Sequence, residues 1–189
     1  NTSSNSPQSF SIIGQEQEGY LDKSSYYVGA FPVSYGNARF QISGAIANLQ
    51  SLPFSARFNS GNMVAGQSFS VTTHVSSLSG SSLPVSTVTL MPQTINGTVS
   101  SVSSDGAFTT YTVTLAAYDK FSNLAAQSAN TGSGISNPGI VVVYADENTQ
   151  ELNDTPIAVG GLFRFNGLIF NDQGTLRMDS AQIRDGVAD

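Results

Sequence analysis

Val64-Ala65-Gly66-Gln67-Ser68-Phe69-Ser70-Val71 and Ala158-Val159-Gly160-Gly161-Leu162-Phe163-Arg164-Phe165 read as two versions of one phrase. Each carries a small apolar step, a glycine, and then large apolar residues at alternate positions. Downstream, Ser86-Thr87-Val88-Thr89-Leu90, ending at Ile95, is echoed by Gly174-Thr175-Leu176-Arg177-Met178, ending at Ile183. A third echo pairs Ile42-Ser43-Gly44-Ala45-Ile46 with Ile95-Asn96-Gly97-Thr98-Val99. A strand–turn–strand unit that recurs along a chain marks a duplicated small β-domain. Gly66 is therefore expected to align with Gly160, Phe69 with Phe163 and Leu90 with Met178. Each pair must face the same side of its sheet, because a one-residue slip turns every side chain over.

Outward from these phrases the period is mostly two. Phe40, Ile42 and Gly44 alternate with polar residues, as do Phe54, Ala56 and Phe58, so both stretches are expected as half-buried strands. Ser68 to Val75 and Val85 to Leu90 form a hairpin across a Ser/Gly-rich tip. Asp105-Gly106 suits the positive-φ positions of a tight turn and should join a strand near Val99 to the alternating run Phe108–Leu115. Ala117, Phe121, Leu124 and Ala125 have the spacing of a short helix, with a loop as the alternative. Ile140–Tyr144 is a β-branched central strand. Leu162–Phe170 and Thr175–Ile183 form the last hairpin, with Gly167 marking a bulge or bend. Residues 10–36 are expected as a loop or short strands over the first unit. The polar residues 1–9 are expected as a disordered tether.

The 189 residues suffice for one or two small domains. Only 11% are charged, and the net charge is −6. The seven basic residues, Lys23, Arg39, Arg57, Lys120, Arg164, Arg177 and Arg184, are scattered in sequence. No run of them could neutralise a phosphate backbone, which argues against nucleic acid as a partner. Without cysteine there are no disulfides and no thiolate metal sites. No apolar stretch is long enough to span a bilayer as a helix. The Ser/Asn-rich beginning reads as a chain whose export signal has been removed, and would also suit a lipid anchor upstream.

The order of elements in the second unit resembles an exported, mostly bacterial family known only as domain of unknown function 5666. Its pattern is an opening "G-T/I-V" strand, a central strand ending in an "x-T" turn, a "V-G" step, and a terminal hairpin with glycine at its tip. Here these fall on Gly97 and Val99, Thr149, Val159 and Gly160, and Gly174. The resemblance covers residues 93–187, and 40–95 less well, because the first unit lacks the central strand unless residues 10–36 supply it. It implies five- to six-stranded OB-like barrels in tandem and export to the periplasm or cell surface. The family has no assigned activity, so it implies no functional residue.

Candidate chemistry is sparse. His74, the single histidine, lies near Ser76 and Ser77, but a triad also needs an acid in reach. It reads as an ordinary exposed histidine. Asp146, Glu147 and Asp154 could offer hard oxygen ligands to calcium, although their order does not fit an EF-hand. A solvated acidic turn is the simpler reading. Tyr26, Tyr27 and Tyr35 could form a stacking platform for a sugar, or pack as core. No cofactor is expected. The sequence thus predicts an all-β protein of two small OB-like β-barrels in tandem, formed by a divergent internal repeat, over residues 10–94 and 95–189. Its expected role is a non-enzymatic binding module for a glycan or a protein partner. A spacer or assembly domain of the cell envelope, and a hydrolase using His74, are the alternatives.

Overall fold

The computed structural model describes residues 8–22, 25–28, 31–35, 38–44, 51–76, 83–130 and 135–187. The first half contributes β1 (Gln8–Asp22), β2 (Ser25–Val28), β3 (Phe31–Ser34), β4 (Arg39–Ile42), β5 (Ser68–Val75) and β6 (Leu83–Leu90). The second contributes β7 (Gln93–Asp105), β8 (Phe108–Leu115), α1 (Lys120–Asn130), β9 (Ile140–Ala145), β10 (Gln150–Glu151), β11 (Leu162–Asp172) and β12 (Thr175–Asp185). The described structure is predominantly β, in two sheets of six strands.

The strand orders are β3-β2-β1-β5-β6-β4 and β10-β12-β11-β7-β8-β9. In each sheet one further parallel pairing, β3 with β6 and β9 with β12, joins strands otherwise at a distance. Five strands therefore follow one another in a closed cycle, and the short β4 and β10 lie parallel to β6 and β12. Each strand of the first half has its counterpart six strands later, with the same neighbours and the same directions.

This frame supports one echo and corrects two. Gly66 and Gly160 end equivalent turns, with φ of 98° and 88°. Gln67 N bonds Val64 O, and Gly161 N bonds Ala158 O. Phe69 and Phe163 then begin the buried positions of β5 and β11. Leu90, however, faces Phe69, whereas Met178 faces Ile169 and the partner of Phe163 is Asp185. The hairpin of the second half is longer, so a match of residue types misses the pairing register. Ile42 lies in β4, the counterpart of β10, whereas Ile95 lies in β7, the counterpart of β1. The third echo thus joins unrelated strands.

The described residues within 10–36 form most of β1, and β2 and β3, strands of the first sheet itself rather than a loop over it; β3 holds the place that the central strand β9 holds in the second. Gln8 and Ser9, expected in the tether, belong to β1; residues 1–7 lie outside the described residues. Phe54, Ala56 and Phe58 are not in a strand. Their alternation records three half-buried contacts with the first core from an irregular segment. The helical spacing around Phe121 does form a helix, whose start is capped by Asp119: its Oδ1 accepts from Phe121 N at 2.9 Å and its Oδ2 from Asn96 N at 2.8 Å. Burial in this cap raises the Asp119 pKa above the ordinary carboxylate range, against the lowering effect of those amides.

The bulge expected at Gly167 is present, and the first half repeats it. Register shifts between Asn166 and Gly167, and between Thr72 and Thr73. The extra residues are Ala181 and Ser86, on the second strand of each hairpin. A Cβ on Gly167 would lie 1.9 Å from Asp179 O. At the equivalent place Thr73 donates its hydroxyl to Pro84 O at 2.5 Å.

Phe69, Val71, Val113, Val143, Phe163, Phe165 and Met178, the expected core, are all buried. Two clusters gather them, and the clusters exchange residues between halves. Val64 packs with the second sheet, while Leu168 and Phe170 of β11 pack with the first. Phe54 stacks against Phe170 and Tyr144, with ring centroids 5.7 and 4.7 Å away. The fully buried Gln67 donates from Nε2 to Ile169 O at 2.8 Å. Burying one such phenylalanine contributes roughly 1.5–3 kcal/mol.

Candidate functional site

Alternation along β11 buries Phe163 and Phe165 and leaves Arg164 and Asn166 on the opposite, outer face. In β7 the buried Ile95 and Gly97 leave Thr94 and Asn96 on that face, and in β12 the buried Ile183 leaves Gln182 and Arg184 there. Strand register arranges these six side chains as two rows across three strands. Thr94, Asn166 and Gln182 make the first row, and Asn96, Arg164 and Arg184 the second.

Hydrogen bonds hold the first row. Asn166 Nδ2 donates to Thr94 Oγ1 at 2.9 Å, and Gln182 Nε2 donates to Gln150 Oε1 of β10 at 3.1 Å. In the second row Arg164 Nε donates to Asp185 O at 2.9 Å. Thr94, Arg164, Asn166, Gln182 and Arg184 line a cavity of about 200 Å³. Pockets that engulf a whole small molecule run to roughly 300–1,000 Å³, so this one suits a single group or ring of a larger ligand. Tyr118, 43% exposed, is tied to the second row through Asn96. Its hydroxyl accepts from Asn96 Nδ2 and donates to Val187 O.

Arg164 and Arg184 are direct cross-strand partners. Among the described residues neither forms an ion pair; Arg177 does, with Asp172 at 2.9 Å. Arg177 also donates to the Tyr144 hydroxyl and lies over the rings of Phe54 and Tyr144, which makes it a structural cation. Asp185, beside Arg184 in the chain, accepts from Asp154 N at 2.6 Å and from Thr155 N at 3.1 Å. Those amides, with a weaker pull from Arg164, hold its carboxyl below the ordinary range.

The residues singled out from the sequence lie elsewhere. Tyr35 is buried in the first core with its ring 6.1 Å from Phe40, so it takes the core reading rather than that of an exposed platform. Tyr26 and Tyr27 lie in β2, with Val33 and Pro32 as strand partners. His74 is exposed in β5, with Nδ1 3.2 Å from Ser9 Oγ across the β1–β5 pairing.

Asp146 closes the turn after β9, where Oδ1 accepts from Asn148 N at 2.9 Å. With Glu147, Asp105 and Phe108 it lines a second cavity, of about 360 Å³. Asp154 does not line it; its backbone N–H donates to Asp185 Oδ2. Among the described residues no three acidic or histidine side chains are grouped to hold a metal ion. A neighbour of this turn, Asp179, reads in the sequence as a turn or tail residue but is buried in β12, and its Oδ2 has no hydrogen-bond partner among the described residues. Burial, and then the charge of Asp146, push its pKa up to about 6.

The arginine pair was legible only as two of seven scattered cations. Its signal was the hairpin register, offset by the bulge at Gly167; without the extra residue Arg164 would face the buried Ile183. None of the protein families, curated proteins or solved structures compared with the chain matches it.

Proposed function

We propose that this chain is an exported, non-enzymatic binding module whose ligand is a glycan. The observation that carries this reading is the ordered array of Thr94, Asn96, Asn166, Gln182, Arg164 and Arg184, with Tyr118 exposed beside it. Side-chain amides, a hydroxyl and guanidinium groups together offer both donors and acceptors, which is what a sugar's vicinal hydroxyls require. A partly exposed tyrosine adds a face on which a ring can stack.

The two sheets are taken as OB-like barrels in tandem over residues 10–94 and 95–189, descended from one repeated unit. Five-strand cycles with the same order and directions support this, as do the matching turns at Gly66 and Gly160 and the matching bulges. OB-folds bind oligosaccharides or oligonucleotides on a strand face, and the net charge of −6 favours the former. That step is a fold-level analogy, and the array itself is the stronger support. The proposed kinship with the 5666 family rests on the same order of elements, and the extracytoplasmic location on that kinship and on the low content of charged residues. Against a hydrolase, His74 is exposed on a strand and, among the described residues, forms no ion pair with the acid that a triad also needs.

Screening the full chain against an array of immobilised bacterial and plant glycans tests the proposal. Retention of a defined glycan class, weakened by Asn166→Ala and Tyr118→Ala, is the expected result. An array with no retained glycan overturns it and favours a protein partner or a spacer.

A further inference from the structure

We infer that the ligand of this array carries a carboxylate, as in a uronic acid, and that Arg164 and Arg184 receive it. The inference rests on the glycan-binding reading and specifies the sugar class.

Directly opposed residues on antiparallel strands have Cα atoms about 5 Å apart. Like charges placed so are destabilising. Arg164 and Arg184 nevertheless face each other, and among the described residues no acidic side chain forms an ion pair with either. The acid that follows Arg184 in sequence, Asp185, directs its carboxylate to the amides of Asp154 and Thr155. Two guanidinium groups therefore open on one small cavity in a chain whose net charge is −6. A guanidinium fork fits a planar carboxylate with two parallel hydrogen bonds, stronger than neutral ones. The remaining lining, Thr94, Asn166 and Gln182, is neutral and suited to hydroxyls. A carboxylate and hydroxyls on one ring are the groups of a uronic acid.

The first half provides an internal control. Its counterparts of Arg164, Asn166, Gln182 and Arg184 are Ser70, Thr72, Thr87 and Thr89, by the same strand positions and the same bulge. The frame is repeated and the two cations are not. The acid preference belongs to the second half alone.

Calorimetric titration of the full chain with trigalacturonate, neutral galactotriose and inorganic phosphate tests this. The expected result is that trigalacturonate binds at least about tenfold tighter than galactotriose, with the gap narrowing as salt screens the charges. Arg164→Gln with Arg184→Gln should bring the two sugars level, while Asn166→Ala weakens both. Thermal melts check that the variants fold. If the double variant does not, Arg184→Gln alone and the salt dependence of the parent carry the test. Equal binding of both sugars, unaffected at the arginines, overturns the acid preference and leaves the glycan reading standing. Binding of neither sugar overturns both. Phosphate binding as tightly as the uronate oligomer shows a plain anion site and overturns the sugar assignment.

Discussion

Replacing Asp179 by Asn should stabilise the protein at neutral pH and leave it unchanged near pH 4. Asp179 is 6% exposed and shares a sheet face with Leu168, its cross-strand partner, which packs against the first half. Its carboxyl pKa is raised from 3.8 to about 6, by burial first and by Asp146 second. Between those values the folded protein holds a proton that the unfolded chain has released. Stability therefore falls as pH rises through this window, and the cost is fully present above the folded pKa. Two pKa units correspond to about 3 kcal/mol at most, and relaxation of the site around the buried charge brings this to roughly 1–3 kcal/mol. Asn has the same shape and carries no charge. Urea unfolding of parent and Asp179→Asn at half-unit steps from pH 4 to 8 reads the effect. The variant's advantage should grow from near zero at pH 4 to roughly 1–3 kcal/mol at pH 7.5. A constant difference across that range would refute the assignment of a raised pKa to Asp179.

Other substitutions test the frame. Phe163→Ala empties a fully buried site and should cost roughly 3–5 kcal/mol in denaturant unfolding; a melt within a degree of the parent would remove that hairpin from the core. Gly66 and Gly160 share a left-handed conformation, which costs any L-residue roughly 1–2 kcal/mol. Gly160→Ala has open space around it and should lose about that much, whereas Gly66→Ala also meets Phe121 Cδ2 at 2.9 Å and should lose more. Equal melting temperatures for the two variants would contradict the packing of α1 on the Gly66 turn. Asp119→Ala removes the cap of α1 and should cost roughly 0.5–2 kcal/mol, seen as a lower urea midpoint at pH 7.

The all-β class, the final hairpin, the Asp105-Gly106 turn and the buried strand Ile140–Ala145 were legible because their side chains alternate or are β-branched throughout. β1 was not. Its middle, Gly14-Gln15-Glu16-Gln17-Glu18, has no apolar period, and it is ordered through its long pairing with β5 and through β2. Phe54, Ala56 and Phe58 gave the opposite error, since alternate burial in an irregular segment imitates a strand. The turn glycines marked two equivalent turns, because φ near 90° constrains residue type. The strand ends did not mark equivalent positions, because any β-branched residue serves there. The candidate site lay deeper still: a position on the outer face costs no apolar residue, so only pairing register brings Arg164 to Arg184.

The residues exchanged between the two cores also bear on the order in which the protein is made. The first cluster is completed by Leu168 and Phe170, and the bond from Gln67 to Ile169 spans 102 residues. Translation delivers the N-terminal strands long before their last packing partners. Until β11 emerges, that half holds an uncovered apolar face, and contacts this distant in sequence form slowly. Throughout that interval the N-terminal half is an incomplete fold, and the arrival of β11 ends it for both halves together.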